Sequence, residues 1–241
     1  FRRVLFRSIP RFATRVKSCE QSAEDCVAGH PPARGERRVI LAGSQEYAGE
    51  PGVVLDAATV ALIESAREPV LLLPFGRQVE LPWPRIVAPM SGEARISPAL
   101  ARAIELGNQL RLPVDIVHVV DTSSSGGVSA AGVGRFGDDP QHQLPRLLEE
   151  FVSRACPYCT PGERHVIRGF QLAQGDPTTE LLRILSGSPV GVVAVEWKGS
   201  FMRGHAETLK ALLSELGAPV LLVRQSEEEE AALRAGHRLV G

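Results

Sequence analysis

The sequence has no excess of charge of either sign and no long apolar run. Its 27 basic and 28 acidic residues give a formal net charge of −1, so no overall positive field argues for binding to nucleic acid or to an anionic membrane. The longest apolar runs, such as Val190–Val195, have the length of a strand and fall far short of a membrane span. With 44% apolar residues, the 241-residue chain can bury a substantial core. We therefore expect a globular protein.

A secretory signal is also lacking, because the first residues are rich in arginine and have no apolar segment followed by a small-residue cleavage site. The four cysteines, Cys19, Cys26, Cys156 and Cys159, occur in a chain that is large enough to fold without disulfides. Both observations favour the reducing environment of the cytoplasm.

Residues 1–36 have no hydrophobic period. The opening FRRVLFRS resembles the translation of a short sequencing adapter, and it does not begin with methionine. The stretch that follows is rich in Arg, Pro, Ser and Cys, which does not favour a packed element. We interpret residues 1–36 as an artefact followed by a disordered segment.

From Pro84 onward, short apolar runs alternate with helical patterns. Ser97-Pro98 supplies an N-cap followed by proline at the first helical position, and Gly175-Asp176-Pro177 opens a later helix. Val190–Val195 is a largely β-branched run, typical of a parallel strand that is buried on both faces. The predicted strands lie near residues 85–89, 114–120, 165–172, 190–195 and 220–223. This alternation predicts a five-stranded, doubly wound parallel sheet, with a ligand crevice at the carboxyl ends of its strands.

The last strand–helix–strand unit has a partner upstream. Residues 39–43, 57–66 and 68–73 repeat its pattern, and the prolines before the closing strands, Pro69 and Pro219, are 150 residues apart. We predict that residues 37–76 are the C-terminal remnant of a first domain and that 77–83 form a linker. A complete domain then covers 84–225, and an acidic helical tail covers 226–241.

The segment from Pro84 to Asp121 resembles the opening of universal stress proteins, in which the first strand ends in Pro-x-Asp-Gly-Ser and the second in His-Val-Val-Asp. Gly175-Asp176-Pro177 is similar to the family's Gly-x-Pro before the third helix, and Ala218–Arg224 is similar to its closing Cys-Pro-Val-Leu-Val-Val-Arg. The resemblance spans 84–225 and, with the upstream repeat, points to a tandem member. It implies an adenine nucleotide alpha hydrolase-like fold with strand order 3-2-1-4-5.

The resemblance also implies a dimer seam along the last strand. Two apolar edge strands are predicted to pair back to back, within one tandem chain or between two chains. The residues concerned are Val220, Leu221, Leu222 and Val223 in the complete domain and Val70, Leu71, Leu72 and Leu73 in the remnant. We expect an intramolecular pseudo-dimer or a homodimer, with no nucleic acid or membrane as partner.

Nucleotide-binding members of that family carry an acid after the first strand and Gly-x2-Gly-x9-Gly-Ser/Thr after the fourth, whose amides approach phosphates. Here Ser91 replaces the acid, Glu196-Trp197 replaces a small pair, and Glu207 stands where the family has a hydroxyl. The positions that still match pocket-lining residues are Pro89, Val119, Gly199 and Gly204. We expect no cofactor, with ATP or AMP as the alternative.

Three further features have an ordinary explanation beside a functional one. Cys156-Pro157-Tyr158-Cys159 is identical to a glutaredoxin-type redox motif and with His165 offers zinc ligands, but it follows a helical pattern and is predicted to be a helix-ending turn. His118 is more simply a core histidine than a base. Trp197 and Phe201 suit base stacking, yet aromatic residues at a strand end usually pack.

No combination of nucleophile, base and orienting acid emerges from the sequence. The predicted function is therefore a non-enzymatic, universal stress protein-like module that acts through dimerisation or partner binding in a stress response. Two alternatives stay open: a sensor that binds an adenine nucleotide, and a cytoplasmic regulatory domain of a membrane transporter.

Overall fold

The computed structural model describes residues 39–43, 55, 57–74, 82–91, 97–120, 148–149, 151–153, 155–157, 159–197, 201 and 206–224. Its elements in chain order are β1 (Ile40–Gly43), α1 (Ala57–Ser65), β2 (Val70–Leu73), β3 (Ile86–Ser91), α2 (Pro98–Leu110), β4 (Val114–Val120), β5 (Ile167–Gln174), α3 (Pro177–Ser186), β6 (Val192–Trp197), α4 (Glu207–Glu215) and β7 (Val220–Arg224). Residues 148, 149, 151–153 and 155 are helical, and a 3-10 turn, Arg164–Val166, precedes β5. The predicted segments 1–36 and 226–241 lie outside the described residues.

The strands form one seven-stranded sheet in the order β1-β2-β7-β6-β3-β4-β5. From β7 to β5 every neighbouring pair is parallel, and these five strands have the predicted order. β1 and β2 are parallel to each other, whereas β2 and β7 are antiparallel. The predicted count of five strands is right for β3 to β7 and wrong for the whole sheet, because β1 and β2 extend it beyond β7.

The helices begin where the sequence predicts caps. Ser97 Oγ accepts a hydrogen bond from the Leu100 N–H at 3.1 Å, and Pro98 then opens α2. Asp176 Oδ1 accepts from the Thr179 N–H at 2.8 Å, with Pro177 at the start of α3. In both cases a side-chain oxygen satisfies an amide that the first helical turn leaves unpaired. Both predicted helix starts are confirmed.

Helices cover both faces of the sheet. α2 packs on one face, where Leu100 and Ile104 contact the buried side of β3 and β4. α3 and α4 pack on the other face, where Leu185 and Leu212 lie against Val193, and α1 covers the same face beside β2. β6 lies between β3 and β7, as predicted for a strand buried on both faces. Among the residues that the structure describes, no helix has both the length and the apolar character that a membrane crossing needs.

Gly191 lies at a close approach between the chain that enters β3 and the start of β6. Its N–H donates to the Arg85 carbonyl oxygen at 3.0 Å, and Trp83, 7% exposed, packs directly over its Cα. A Cβ atom at this position would collide with Trp83 Cβ and lie 2.8 Å from the Arg85 carbonyl oxygen. Glycine is therefore required sterically.

Replacing Gly191 with alanine is expected to destabilise the fold by about 1–3 kcal/mol. The added methyl group would force both the backbone at Arg85 and the Cβ of Trp83, which carries the indole ring, to shift. Urea unfolding measures the change. Gly162→Ala is the matched control, since a Cβ there meets nothing within 4 Å. Equal stability of the two variants would contradict the steric explanation.

Candidate functional site

β2 and β7 pair about a local twofold axis. The register pairs Val70 with Leu222, Leu71 with Leu221, and Leu72 with Val220. The same offset of 150 residues relates α1 to α4 and the start of β2 to the start of β7. The outer two pairs are therefore equivalent, and the Leu71–Leu221 pair lies on the axis. Such reciprocal pairing is the pattern of an isologous interface between two copies of one surface. We call this pairing the seam.

The seam is apolar and buried on both sides. Towards α1 and α4, Leu72 and Leu222 are each 1% exposed and pack with Ile63 and Leu209. On the opposite face, Leu71 and Leu221 join the cluster that contains Trp83 and α2. Separating β2 from β7 would expose all of this apolar surface and unpair one side of each strand.

Two polar contacts connect α1 to the other half of the seam. Arg224 Nη1 donates to the carbonyl oxygen of Glu64 at 2.8 Å, which places a cation at the C-terminal end of α1, where the helix dipole favours it. The carboxylate Oε1 of Glu64 accepts a hydrogen bond from the Phe201 N–H at 3.1 Å. Glu64 thus contacts both β7 and the loop that follows β6.

A crevice is expected where β3 and β6 diverge. The two strands are neighbours but pair only at Ile86–Val192 and Val87–Val193, so the remaining described residues of both strands separate towards their carboxyl ends. The chain leaves β3 towards β4 and later returns on the other side as β6. This is the switch point at which doubly wound sheets bind ligands.

The structure brings together only part of the sequence-predicted pocket lining. Pro89 lies in β3 opposite Val117, and Val119 lies in β4 opposite Ser91, the last residue of β3. Val119 is 6% exposed and packs with the residues beneath α3, so it forms part of the core beside the crevice. Gly199 and Gly204 lie outside the described residues.

Trp197, at the carboxyl end of β6, is buried in the seam. Its ring lies 4.7 Å from that of Phe201, centroid to centroid, and it packs in the cluster that includes Leu55 and Ile63. At 4% exposure the indole has little surface left for a ligand. The prediction that these two aromatic residues pack is confirmed.

The N-terminus of α4 carries its own negative charge. Ala206 caps the helix at φ 57°, a left-handed conformation that glycine adopts more easily, and it offers no side-chain cap. Glu207 in the first turn pairs with Lys210 at 3.1 Å. A carboxylate here interacts favourably with the helix dipole and repels a phosphate approaching the same end.

His118 lies on the opposite side of β4 from Val119. Its ring centroid is 5.3 Å from that of Phe151, whose ring in turn contacts Phe170 at 5.4 Å. Burial lowers the pKa of His118, and the Met90 backbone acts in the opposite direction. The ring is half-buried against Phe151, and its buried Nδ1 has no hydrogen-bond partner among the described residues. This packing favours the simpler interpretation of a core histidine, whose hydrogen bonding is incomplete. Among the described residues, no group of three potential metal ligands is placed to hold an ion.

Sequence patterns did not identify Glu64 as part of this site. It is an ordinary acidic residue near the end of α1, and the residue that it contacts, Phe201, is 137 positions away. The only available signal was the repeat itself, which indicates that α1 lies beside the seam as α4 does.

No protein-family model and no curated protein matches the sequence. A universal stress protein from Archaeoglobus fulgidus DSM 4304 has a similar structure, with a TM-score of 0.55 and 15% identity, over 78% of this chain and 62% of that one. A Pseudomonas aeruginosa UCBPP-PA14 protein described as a universal stress protein gives 0.52 and 11%, over 84% and 66%. A protein of unknown function from Pseudomonas aeruginosa PAO1 gives 0.51 and 12%, over 84% and 66%.

The chain thus spans 62% to 66% of the length of these structures. At identities of 11% to 15%, the similarity supports a conclusion about the fold alone. The chain has the fold of universal stress proteins.

Replacing His118 with leucine is expected to make the protein less sensitive to acid. Because the folded-state pKa of His118 lies below its usual value near 6.5, the unfolded chain binds the proton more readily. The stability that the neutral ring contributes is therefore present above about pH 6.5 and is lost as the pH falls through the folded-state pKa. The slope cannot exceed about 1.4 kcal/mol per pH unit. Urea unfolding at about pH 7.5 and about pH 5.5 measures it for both proteins. An equal loss in both would contradict the assignment.

Proposed function

We propose that this chain is a cytoplasmic, non-enzymatic module of the universal stress type that acts through association, and that the seam is the contact through which its two halves associate. The observation that carries the proposal is the antiparallel pairing of β2 with β7 about a local twofold axis. A chain that contains both sides of such an interface is a pseudo-dimer within one polypeptide.

The seam supports an intramolecular arrangement. β7 pairs on one side with β6 and on the other with β2, so both of its hydrogen-bonding edges are occupied within one chain. A second copy would have to displace β2, with its apolar residues and the Glu64–Arg224 contact, before it reached β7. A homodimer through this edge is therefore a strand exchange rather than a simple addition.

The region after β6 supports a role other than nucleotide binding. In the nucleotide-binding proteins that the sequence resembles, backbone amides after this strand approach phosphates. Here the amide of Phe201 donates to the Glu64 carboxylate, and Trp197 fills the adjacent volume. Glu207 adds another negative charge at the start of α4. An incoming phosphate would have to compete with one carboxylate and approach another.

Replacing Leu72 with lysine is expected to detach β2 from β7 while β3 to β6 stay folded. Leu72 is 1% exposed, and burying an unpaired ammonium group among apolar side chains costs several kcal/mol. β2 lies near one end of the sheet, so the loss is confined to β1, α1 and β2. Hydrogen exchange should show lost protection at Val70–Leu73, retained protection at Val114–Val120, and a larger radius by X-ray scattering.

Leu172→Lys is the matched control, because Leu172 is 41% exposed on β5 and lies far from the seam in strand order. The control should keep the exchange pattern and radius of the unaltered protein. Retained protection of β2 in the Leu72 variant would contradict the seam as the device that joins the two halves.

A second candidate function is sensing of an adenine nucleotide, and the divergence of β3 from β6 favours it. The crevice lies at the position where this class of fold binds ligands, and Pro89 belongs to β3, one of the two strands that flank it. The two candidate functions differ in whether the crevice binds an adenine nucleotide.

Titration with ATP or AMP distinguishes them. Our proposal expects no saturable heat at micromolar nucleotide by isothermal calorimetry, because the Phe201 amide is already engaged by a carboxylate. A nucleotide-binding protein titrated under the same conditions is the positive control. A saturable isotherm with either nucleotide would favour the sensor instead.

A further inference from the structure

Cys156 and Cys159 form a disulfide in the turn that precedes β5. Their Cα atoms are 5.4 Å apart, and the Cys159 N–H donates to the Cys156 carbonyl oxygen at 3.1 Å. The Cys156 N–H donates to the Val152 carbonyl oxygen at 2.8 Å, which is a helical hydrogen bond at the end of the preceding helical residues. The predicted helix-ending turn is confirmed. In the disulfide form neither sulfur atom is available as a zinc ligand.

The two sulfur atoms differ in access. Cys156 is 2% exposed and packs in the core with Val152 and Ala155. Cys159 is only partly buried against the same cluster, and Thr160, which follows it, is exposed. A reductant in solution therefore reaches the Cys159 sulfur first, and Cys156 is the leaving group.

A positive charge lies against this turn. Arg164 Nη2 donates to the Cys156 carbonyl oxygen at 3.2 Å. The Nε atom of Arg164 is buried and has no hydrogen-bond acceptor among the described residues. The dipole of the preceding helical residues has the wrong sign to stabilise a thiolate at their C-terminal end. Arg164 therefore holds a positive charge at the backbone of Cys156, the residue that leaves as a thiolate in the exchange described below.

The turn is connected to the start of α2. The Ser97 N–H donates to the Ala155 carbonyl oxygen at 2.7 Å, while Ser97 Oγ caps α2 through Leu100. Ser97 is 2% exposed, so its polar atoms depend on these protein partners. A change in the turn at residues 155–159 thus alters a hydrogen bond on which the α2 N-terminus depends, close to the carboxyl end of β3.

We propose that Cys156–Cys159 is a reversible redox site whose state is transmitted to the α2 N-terminus through Ser97. The reductant is a dithiol. Its first thiolate attacks Cys159 Sγ, forming a mixed disulfide and releasing Cys156 as a thiolate, which takes up a proton from water. Its second thiolate then attacks its own sulfur in the mixed disulfide and releases Cys159. The protein disulfide gains two electrons, and the dithiol leaves as a cyclic disulfide.

Redox titration of the native full chain tests the site. Samples equilibrated with reduced and oxidised dithiothreitol, or with glutathione, are quenched in acid and alkylated. Trypsin then releases residues 155–164 as one peptide that holds both of these cysteines and neither Cys19 nor Cys26. Full conversion in both directions is expected. A pair that dithiothreitol reduces only after unfolding, or that excess oxidised glutathione leaves as free thiols, would overturn the proposal.

Hydrogen exchange tests transmission to α2. Reduction should speed exchange of the amides of Ser97, Ala99 and Leu100, and the Cys156→Ser, Cys159→Ser double variant should match the reduced protein under both conditions. Identical exchange of these amides in the oxidised and reduced protein would refute the Ser97 link.

Arg164 is a positioning residue whose charge acts on the cysteine pair. Arg164→Met should slow alkylation of the reduced pair near neutral pH, by about tenfold for each pKa unit that the thiols rise. Arg164→Lys should restore much of the rate. Arg168→Met, which removes an exposed arginine from β5, is the matched control and should leave the rate unchanged. Equal rates in both methionine variants would exclude Arg164 from this role.

Discussion

The antiparallel pairing of β2 with β7 is the constraint on which the rest of the structure depends. Both strands carry large apolar side chains on both faces of the sheet. Without the pairing, these side chains and the backbone groups along one edge of each strand would be exposed to water. Pairing satisfies the backbone groups of both edges and completes two apolar layers at once. It also reverses the direction of the sheet, because β1 and β2 are parallel to each other and opposed to the other five strands.

The seam also determines the chemistry available at the carboxyl end of β6. Trp197 turns towards α1 and packs with Phe201 as part of the seam's core. The Glu64 carboxylate then binds a backbone amide in the following loop, while Arg224 binds the end of the helix that carries Glu64. The same groups therefore stabilise the association of the two halves.

The disulfide turn before β5 contacts a different part of the sheet's surroundings from the seam. The Cys156–Cys159 turn contacts the α2 N-terminus through Ala155 and Ser97, whereas the seam contacts the loop after β6 through Glu64. The disulfide turn and the seam thus act on two different elements, the N-terminus of α2 and the loop after β6.

Local patterns in the sequence determined most of the elements, because capping and hydrophobic period act over a few residues. Ser97 and Asp176 indicated helix starts that the structure confirms, and the β-branched run predicted the buried strand β6. The resemblance to universal stress proteins added the order of β3 to β7, and the repeat indicated that β2 and β7 are equivalent. The same resemblance predicted that the closing strands of the two copies pair back to back, within one chain or between two. Tertiary structure alone decided that they pair within one seven-stranded sheet, and in which register. It alone also made the Glu64 contacts, which join residues separated by 137 and 160 positions. No local pattern encodes such contacts, because they form only when the packing of the whole sheet brings α1 beside the end of β6.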